Sequence, residues 1–199
     1  CVCANRIFVQ DGVYDAFLEK FTAAMAGLRL GNGADEGVDV GPLITAEAAN
    51  DVLEFVADAT AKGASVAVGG QRSAMGQNFV EPTVLTGVST EMRVFSDEIF
   101  GPVAPVFRFE TEEEVIALAN ATNVGLASYF YSRDIGRIWR VAEGLEYGMV
   151  GINTGIISTA VAPFGGVKAS GIGREGSKYG IDDYVEVKYL CMGGLSAAA

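Results

Sequence analysis

The chain has 199 residues, a formal net charge of −11 and no histidine. Hydrophobic residues make up 50% and charged residues 20%, which is typical of a globular protein with a sizeable core. The acidic balance argues against a nucleic-acid partner, and the lack of a basic run argues against a membrane surface. The absence of histidine excludes Cys-His and Ser-His-Asp catalysis within these residues.

The number of cysteines and the identity of the first residue limit the possible kinds of protein further. Three cysteines, at positions 1, 3 and 191, are too few for a disulfide scaffold or a four-thiolate zinc site. We therefore expect no metal and a reducing compartment, the cytoplasm. The chain begins at Cys1 instead of methionine, which suggests a fragment or a processed product. The uncharged stretch 147–167 contains glycines and a proline, which favour a buried strand and turns over a membrane helix.

Periodic patterns predict the elements in chain order. Apolar residues at three- and four-residue steps indicate helices, and short β-branched runs indicate strands. A capping box at Thr111 and Glu114 and a capping Asp134 mark two helix starts. The predicted elements are a strand at 6–9, helices at 13–28 and 45–62, strands at 65–68, 84–85 and 103–107, a helix from 112, a strand at 126–131, a helix from 135, and strands at 149–152 and 185–189.

Strands that alternate with helices predict an α/β fold with a mainly parallel open sheet and flanking helices. Two details follow from the pattern: Val13 begins the apolar face of the first helix, and Pro105 favours an edge strand or a bulge. We see no linker within residues 1–182. The last strand lies in a separate segment, 183–199, and alternates apolar and charged residues. Such a strand could pair with an edge on another subunit.

The first candidate for chemistry is the triplet Cys1-Val2-Cys3. A thiolate is the strongest nucleophile available to this chain. Three interpretations stay open from the residues alone: a catalytic cysteine, small buried hydrophobic side chains, or an N-terminal-nucleophile hydrolase in which the α-amine of Cys1 is the base.

The second candidate is the run Ser96-Asp97-Glu98-Ile99-Phe100-Gly101-Pro102. The Gly-Pro pair fixes the residues before it, so that a carboxylate and an aromatic ring two residues apart can face one ligand. Glu98 could accept from a sugar diol while Phe100 packs on a flat heterocycle. A solvated acid beside a core phenylalanine is the alternative.

The third candidate is the glycine-rich region 151–176. Its glycines do not follow a strand as a dinucleotide fingerprint requires, and no Walker lysine spacing is present. We interpret it as a tightly folded surface loop in which Phe164 can line a cavity.

Together these regions resemble the aldehyde dehydrogenase superfamily, over essentially the whole chain. The closer similarity is to bacterial succinate-semialdehyde dehydrogenases of the GabD type. The residues that carry the resemblance are Cys1-Val2-Cys3-Ala4-Asn5-Arg6, Glu98-Ile99-Phe100-Gly101-Pro102, Gly151-Ile152-Asn153-Thr154-Gly155-Ile156-Ile157-Ser158, Pro163-Phe164-Gly165-Gly166 with Lys168, and Gly173-Arg174-Glu175-Gly176-Ser177-Lys178-Tyr179-Gly180.

The resemblance implies a role for each candidate residue. Cys1 is the catalytic nucleophile, and Glu98 and Phe100 bind NAD or NADP, with NADP slightly favoured. Ser158 binds the far carboxylate of the substrate and Phe164 walls the aldehyde tunnel. The implied reaction is oxidation of succinate semialdehyde, with glutarate semialdehyde or another aldehyde as the alternative.

The resemblance also implies partners and regulation. Cys3 could form a reversible disulfide with Cys1 as an oxidative off-switch, and the strand at 184–189 would assemble a homodimer or homotetramer. The family's general base, oxyanion residue and cofactor-binding domain precede the nucleophile, so we expect these 199 residues alone to be inactive and to need their own N-terminal region. An interpretation of another class is a non-catalytic module for assembly and redox sensing.

Overall fold

The computed structural model describes residues 2–194, and the chain divides into two compact units at Thr122 and Asn123. The sequence shows no glycine- or proline-rich linker at this boundary. The predicted boundary between 182 and 183 is a functional one and stays a prediction.

The first unit contains alternating strands and helices close to the predicted positions. The capping box predicted at Thr111 is present, since its side chain accepts from the amide of Glu114 and the Glu114 carboxylate reaches back. The elements of this unit are β1 (Ile7–Gln10), α1 (Asp11–Ala26), α2 (Ala46–Ala61), β2 (Ser65–Val68), β3 (Thr83–Thr86), α3 (Arg93–Ser96), β4 (Val103–Phe109) and α4 (Glu112–Asn120).

A four-stranded sheet in the order β1-β4-β3-β2 organises the first unit. Strand β4 runs parallel to both of its neighbours, and only the edge strand β2 is antiparallel. The α/β class with a mainly parallel sheet is therefore confirmed. Because β1 and β4 are parallel neighbours, the segments that precede them lie side by side at the amino-terminal ends of these strands.

The core of the first unit lies mainly between the sheet and α2. The predicted apolar face of α2 is confirmed, because its members are buried and pack against the sheet. Leu85 on β3 is fully buried. The buried residues of α2 are Ala49, Val52, Phe55, Val56 and Ala59.

The prediction that Pro105 marks an edge or a bulge is wrong. Pro105 is fully buried and lies in β4, which is paired on both sides. It aligns with Leu85 of β3, whereas pairing with β1 begins one residue later, at Val106. The imide is tolerated because Pro105 precedes the first paired residue of the β1 ladder.

The prediction that Val13 begins the buried face of α1 is also wrong. Val13 is 58% exposed, and Tyr14 is buried in its place. The Tyr14 hydroxyl donates to the carbonyl of Val106, and the Arg108 guanidinium lies over its ring. Burial raises the pKa of Tyr14 above its usual value, in line with a protonated hydroxyl that acts as the donor.

The second unit contains shorter strands joined by longer loops. Strands β6 and β7 are parallel partners, and β5 pairs antiparallel with β8. The strand predicted at 126–131 is confirmed as β6, and the short β5 precedes it. Asp134 caps α5 as predicted, accepting from the amide of Arg137. The elements are β5 (Val124–Gly125), β6 (Ala127–Phe130), α5 (Ile135–Gly144), β7 (Met149–Ile152), β8 (Val167–Lys168) and a 3₁₀ turn (Asp182–Tyr184).

The segment after the 3₁₀ turn is exposed and has no regular secondary structure. Residues 185–194 form no strand with any described part of this chain. Val187 is 98% exposed and Tyr189 is 85% exposed. The pairing of residues 184–189 with another subunit stays a prediction, and residues 195–199 of the predicted tail lie outside the described residues.

None of the helices in the described part of the chain combines the length and the apolar character that a membrane span requires.

The core assignment gives a prediction about stability. Leu85→Ala in β3 should lower the free energy of unfolding by about 2–5 kcal/mol, because it leaves a cavity in a fully buried site. Ile44→Ala is the matched control, since Ile44 is 90% exposed, and it should change stability by less than about 0.5 kcal/mol. Urea unfolding followed by circular dichroism measures both. Equal effects would contradict the assigned core.

Candidate active site

The segment between α3 and β4 presents Glu98 and Phe100 to solvent. Ile99 between them is 4% exposed and anchors the segment in the core, whereas Phe100 is 75% exposed and Glu98 is also exposed. Within residues 2–194, no hydrogen bond or ion pair engages the Glu98 carboxylate. The alternative of a core phenylalanine is therefore wrong, and both side chains are open to a ligand.

Backbone geometry explains why glycine follows Phe100. Phe100 itself has φ of +50°, a left-handed conformation that costs a non-glycine residue about 1 kcal/mol or more. A Cβ at Gly101 would collide with the side chain of Val52 on α2. The chain therefore passes directly over α2 at this point, and the Pro102 carbonyl accepts from the amide of Thr83, 2.8 Å away.

Asp97 precedes Glu98 and is bound at both carboxylate oxygens. The Ser96 hydroxyl donates to one oxygen over 2.7 Å, and the Arg93 Nε donates to the other over 3.1 Å. The Ser96 hydrogen bond, together with the Arg93 guanidinium, lowers the pKa of Asp97 below its usual range. Arg93 in turn lies over the ring of Phe55, so the Arg93–Asp97 ion pair packs against a buried residue of α2.

Asn5 contacts the same segment from the other side. Its Nδ2 donates to the Asp97 carbonyl over 3.0 Å, and its Oδ1 accepts from the Ile99 amide over 2.9 Å. Sequence reasoning missed this residue, although it lies within the first motif. Asn5 is 92 positions from Asp97 and 94 positions from Ile99 in the sequence, so no local pattern reveals these contacts.

Cys1, the predicted nucleophile, lies outside the described residues. Cys3, the predicted redox partner, is exposed and is a free thiol. Exposure is what a thiol needs for exchange, but the pairing of Cys3 with Cys1 stays a prediction.

In the second unit, Ser158 and Phe164 lie on one loop between β7 and β8. Ser158 is exposed, and no described residue hydrogen bonds to its hydroxyl. Phe164 is half-buried, and its backbone exchanges two hydrogen bonds with Glu175, at 2.9 and 2.8 Å. The Ser177 amide also donates to the carbonyl of Ala160. The loop is thus tied to the glycine-rich turn that follows it.

Asn153 begins this loop and is a second residue that sequence reasoning did not single out. Its φ is +57°, and its side chain exchanges two hydrogen bonds of 2.8 Å with the backbone of Ser132. Ser132 and Asn153 follow β6 and β7, so the clamp joins the carboxyl ends of two parallel strands. Ligands of parallel sheets bind at such ends. A polar residue tolerant of a left-handed backbone, directly after a strand, was the available signal.

The glycine-rich signature is a packed structure, as predicted. The Arg174 guanidinium donates to the carbonyls of Gly166 and Gly173, both at 2.7 Å. A Cβ at Gly165 would lie 2.6 Å from the Gly173 carbonyl oxygen, so that position requires glycine. These residues shape the loop through internal contacts.

The structure thus groups the predicted site residues in two sets. Glu98 and Phe100 flank one buried anchor in the first unit, and Ser158 and Phe164 share one loop in the second unit.

The aldehyde dehydrogenase family model matches residues 1–190. The chain is 64% identical over 195 residues to the glutarate-semialdehyde dehydrogenase of Pseudomonas aeruginosa and 59% identical over 193 residues to the NADP(+) succinate-semialdehyde dehydrogenase GabD of Escherichia coli. These alignments cover 98% and 97% of this chain. The chain spans about 40% of the length of these curated relatives.

A solved structure is similarly close. The crystal structure of succinate-semialdehyde dehydrogenase from Burkholderia pseudomallei superposes with a TM-score of 0.95 at 62% identity, over 96% of this chain and 40% of that one. The fold predicted from the resemblance is therefore confirmed.

The hydrogen bonds to Asp97 give a prediction about pH. A carboxyl group whose pKa is lower in the folded state stabilises the fold above its unfolded pKa, and this contribution disappears as the pH falls through the folded pKa. Asp97→Asn should therefore destabilise the protein near pH 7, and the difference from wild type should shrink below about pH 4. Urea midpoints between about pH 3 and 7 measure it; a pH-independent difference would contradict the ionised role.

Proposed function

The chain belongs to the aldehyde dehydrogenase family, and we propose that the full-length protein oxidises succinate semialdehyde to succinate with NAD or NADP. The observation that carries the proposal is the turn at residues 98–100, which holds an acid and an aromatic ring open to a ligand. The succinate-semialdehyde dehydrogenase of Burkholderia pseudomallei, similar over 96% of this chain, supports it.

The residues of this turn fit a nicotinamide cofactor. An exposed carboxylate accepts hydrogen bonds from a ribose diol, and an exposed ring packs against a flat heterocycle. Glu98 and Phe100 would hold the cofactor in this way, on a segment fixed by buried Ile99. When bound, the nicotinamide supplies the hydride acceptor of the reaction. The NADP(+) in the name of the Escherichia coli relative supports NADP as the preferred form.

The nucleophile in this proposal is Cys1. Its thiolate attacks the aldehyde carbon and forms a thiohemiacetal. Loss of hydride from that carbon leaves a thioester on the sulfur, and water then releases the carboxylic acid and the free thiol. Cys3 is an exposed thiol two residues away, and we assign it a regulatory role: a peroxide would oxidise the two thiols to a Cys1–Cys3 disulfide and be reduced to water, and an added thiol would reduce the disulfide again.

Ser158 recognises the far carboxylate of the substrate. Its exposed hydroxyl makes no hydrogen bond to a described residue and lies on a loop whose start is held by Asn153, so the donor is available to a ligand. Phe164 supplies an apolar wall for the carbon chain. Glutarate semialdehyde is the second candidate, since the Pseudomonas aeruginosa relative bears that name and the two substrates share an aldehyde and a far carboxylate.

The assembly is a homodimer or homotetramer in the cytoplasm, built through residues 184–189. The exposure of Val187 and Tyr189 in the single chain supports this role, because two large apolar side chains on a segment with no strand partner in this chain gain from pairing with a second copy.

The first test concerns Cys1. In the full-length protein, Cys1→Ala should abolish aldehyde oxidation, and rapid quenching of the wild type during turnover should reveal an acyl group on Cys1 by peptide mass spectrometry. Cys3→Ala is the matched control and should retain activity. A Cys1→Ala variant that keeps activity but assembles differently would instead support a non-catalytic module.

The second test concerns Ser158. Ser158→Ala should raise KM for succinate semialdehyde about tenfold or more, because a hydrogen bond to a charged group is worth about 1.5–3 kcal/mol. KM for an uncharged aldehyde of similar length should be nearly unchanged. The neighbouring exposed hydroxyl gives the control, Thr159→Ala, which should behave as wild type. Equal effects of Ser158→Ala on both substrates would remove carboxylate recognition from its role.

A further inference from the structure

The side chain of Asn5 holds the backbone on both sides of Glu98. One amide group supplies a donor to the carbonyl of Asp97 and an acceptor for the amide of Ile99, at 3.0 and 2.9 Å. These two bonds fix the residues before and after Glu98 and leave its own side chain free.

The other contacts of the segment also hold the neighbours of Glu98 and not Glu98 itself. Ile99 is buried, and the Asp97 carboxylate is occupied by Ser96 and Arg93. Glu98 is thus a residue with an unoccupied carboxylate between two anchored neighbours. A group held in this way is preorganised for a ligand, because little conformational freedom remains to be lost on binding.

The position of Asn5 follows from the sheet. Strands β1 and β4 are parallel partners, with Ile7 aligned to Val106, so the segments that precede them lie at the same end of the strands. The segment before β1 carries Cys1, Cys3 and Asn5, and the segment before β4 carries Glu98. The side chain of Asn5, in the first segment, bonds to the backbone of the second.

We propose that Asn5 is a positioning residue, which sets the orientation of Glu98 and Phe100 for the cofactor and couples this turn to the segment that follows Cys1. The proposal rests on the cofactor-binding role of Glu98 in the proposed function. It also accounts for the residue type, since one planar group must both donate and accept. Aspartate at this position supplies only the acceptor, and alanine supplies neither.

The test measures cofactor binding by the full-length protein. Asn5→Ala should raise the dissociation constants for NAD and NADP about tenfold, the effect of losing two hydrogen bonds that position the binding turn. Asn5→Asp keeps the bond to the Ile99 amide and should give a smaller rise. Isothermal titration calorimetry gives the constants, and hydrogen exchange should show faster exchange of the Ile99 amide in Asn5→Ala.

The control is an asparagine with a similar structural bond outside the site. Asn78 donates to the carbonyl of Leu43 over 3.3 Å, and Asn78→Ala should lower the melting temperature with cofactor affinity unchanged. Cofactor affinity within twofold of wild type in Asn5→Ala, or the same loss in Asn78→Ala, would overturn the positioning role.

Two further outcomes are distinguishable. If Asn5→Ala fails to fold, Asn5→Asp decides, and unchanged affinity in that variant overturns the role. If the wild-type protein binds neither NAD nor NADP, the proposed function is wrong, and this inference is then wrong as well. Intact wild-type binding with no effect of either Asn5 variant removes this inference alone.

Discussion

The parallel pairing of β1 with β4 is the interaction on which the rest of the first unit depends. Ile7 and Val106 align in this ladder, and the register brings the segment after Cys1 beside the segment that holds Glu98. In an antiparallel pair the two entering segments would lie at opposite ends of the sheet. Asn5 and the turn at residues 98–100, more than ninety residues apart in sequence, become neighbours because two strands point the same way.

The second unit uses the same principle at the other end of its strands. Strands β6 and β7 are parallel, and the side chain of Asn153 ties their carboxyl ends together through Ser132. The loop that carries Ser158 and Phe164 starts from this clamp and is tied again at Glu175. In both units an asparagine amide fixes backbone next to a group that stays exposed. Rigid support with an open side chain is what a binding residue requires.

Much of this architecture could be predicted from the sequence, because its signals are local. The apolar period of α2, the capping box at Thr111 and the cap at Asp134 each involve residues within one or two helical turns. The exposed acid and ring at positions 98 and 100 followed from a short motif that resembles a known family. The helix faces and caps are set by contacts between residues that are close in the chain.

The failures have the opposite origin. Pro105 was expected at an edge or a bulge because proline has no amide hydrogen to donate. It lies in a central strand instead, and only the register with β1, which begins at Val106, shows why that donor is not needed. Tyr14 replaced Val13 in the core because it bonds to Val106 on a distant strand. Asn5 and Asn153 went unnoticed because each acts through a partner that becomes adjacent only after folding. Cofactor and substrate specificity depend on such contacts and are the least visible in sequence.

The close approach of Gly101 to Val52 has a consequence for any redesign of this protein. A helix in the hydrophobic interior and the turn proposed to grip the nicotinamide share a single van der Waals boundary. A bulkier residue at position 52, introduced only to improve thermal tolerance, would push on the main chain beside Phe100. Core packing on α2 and the main-chain conformation beside Phe100 are therefore coupled at this point.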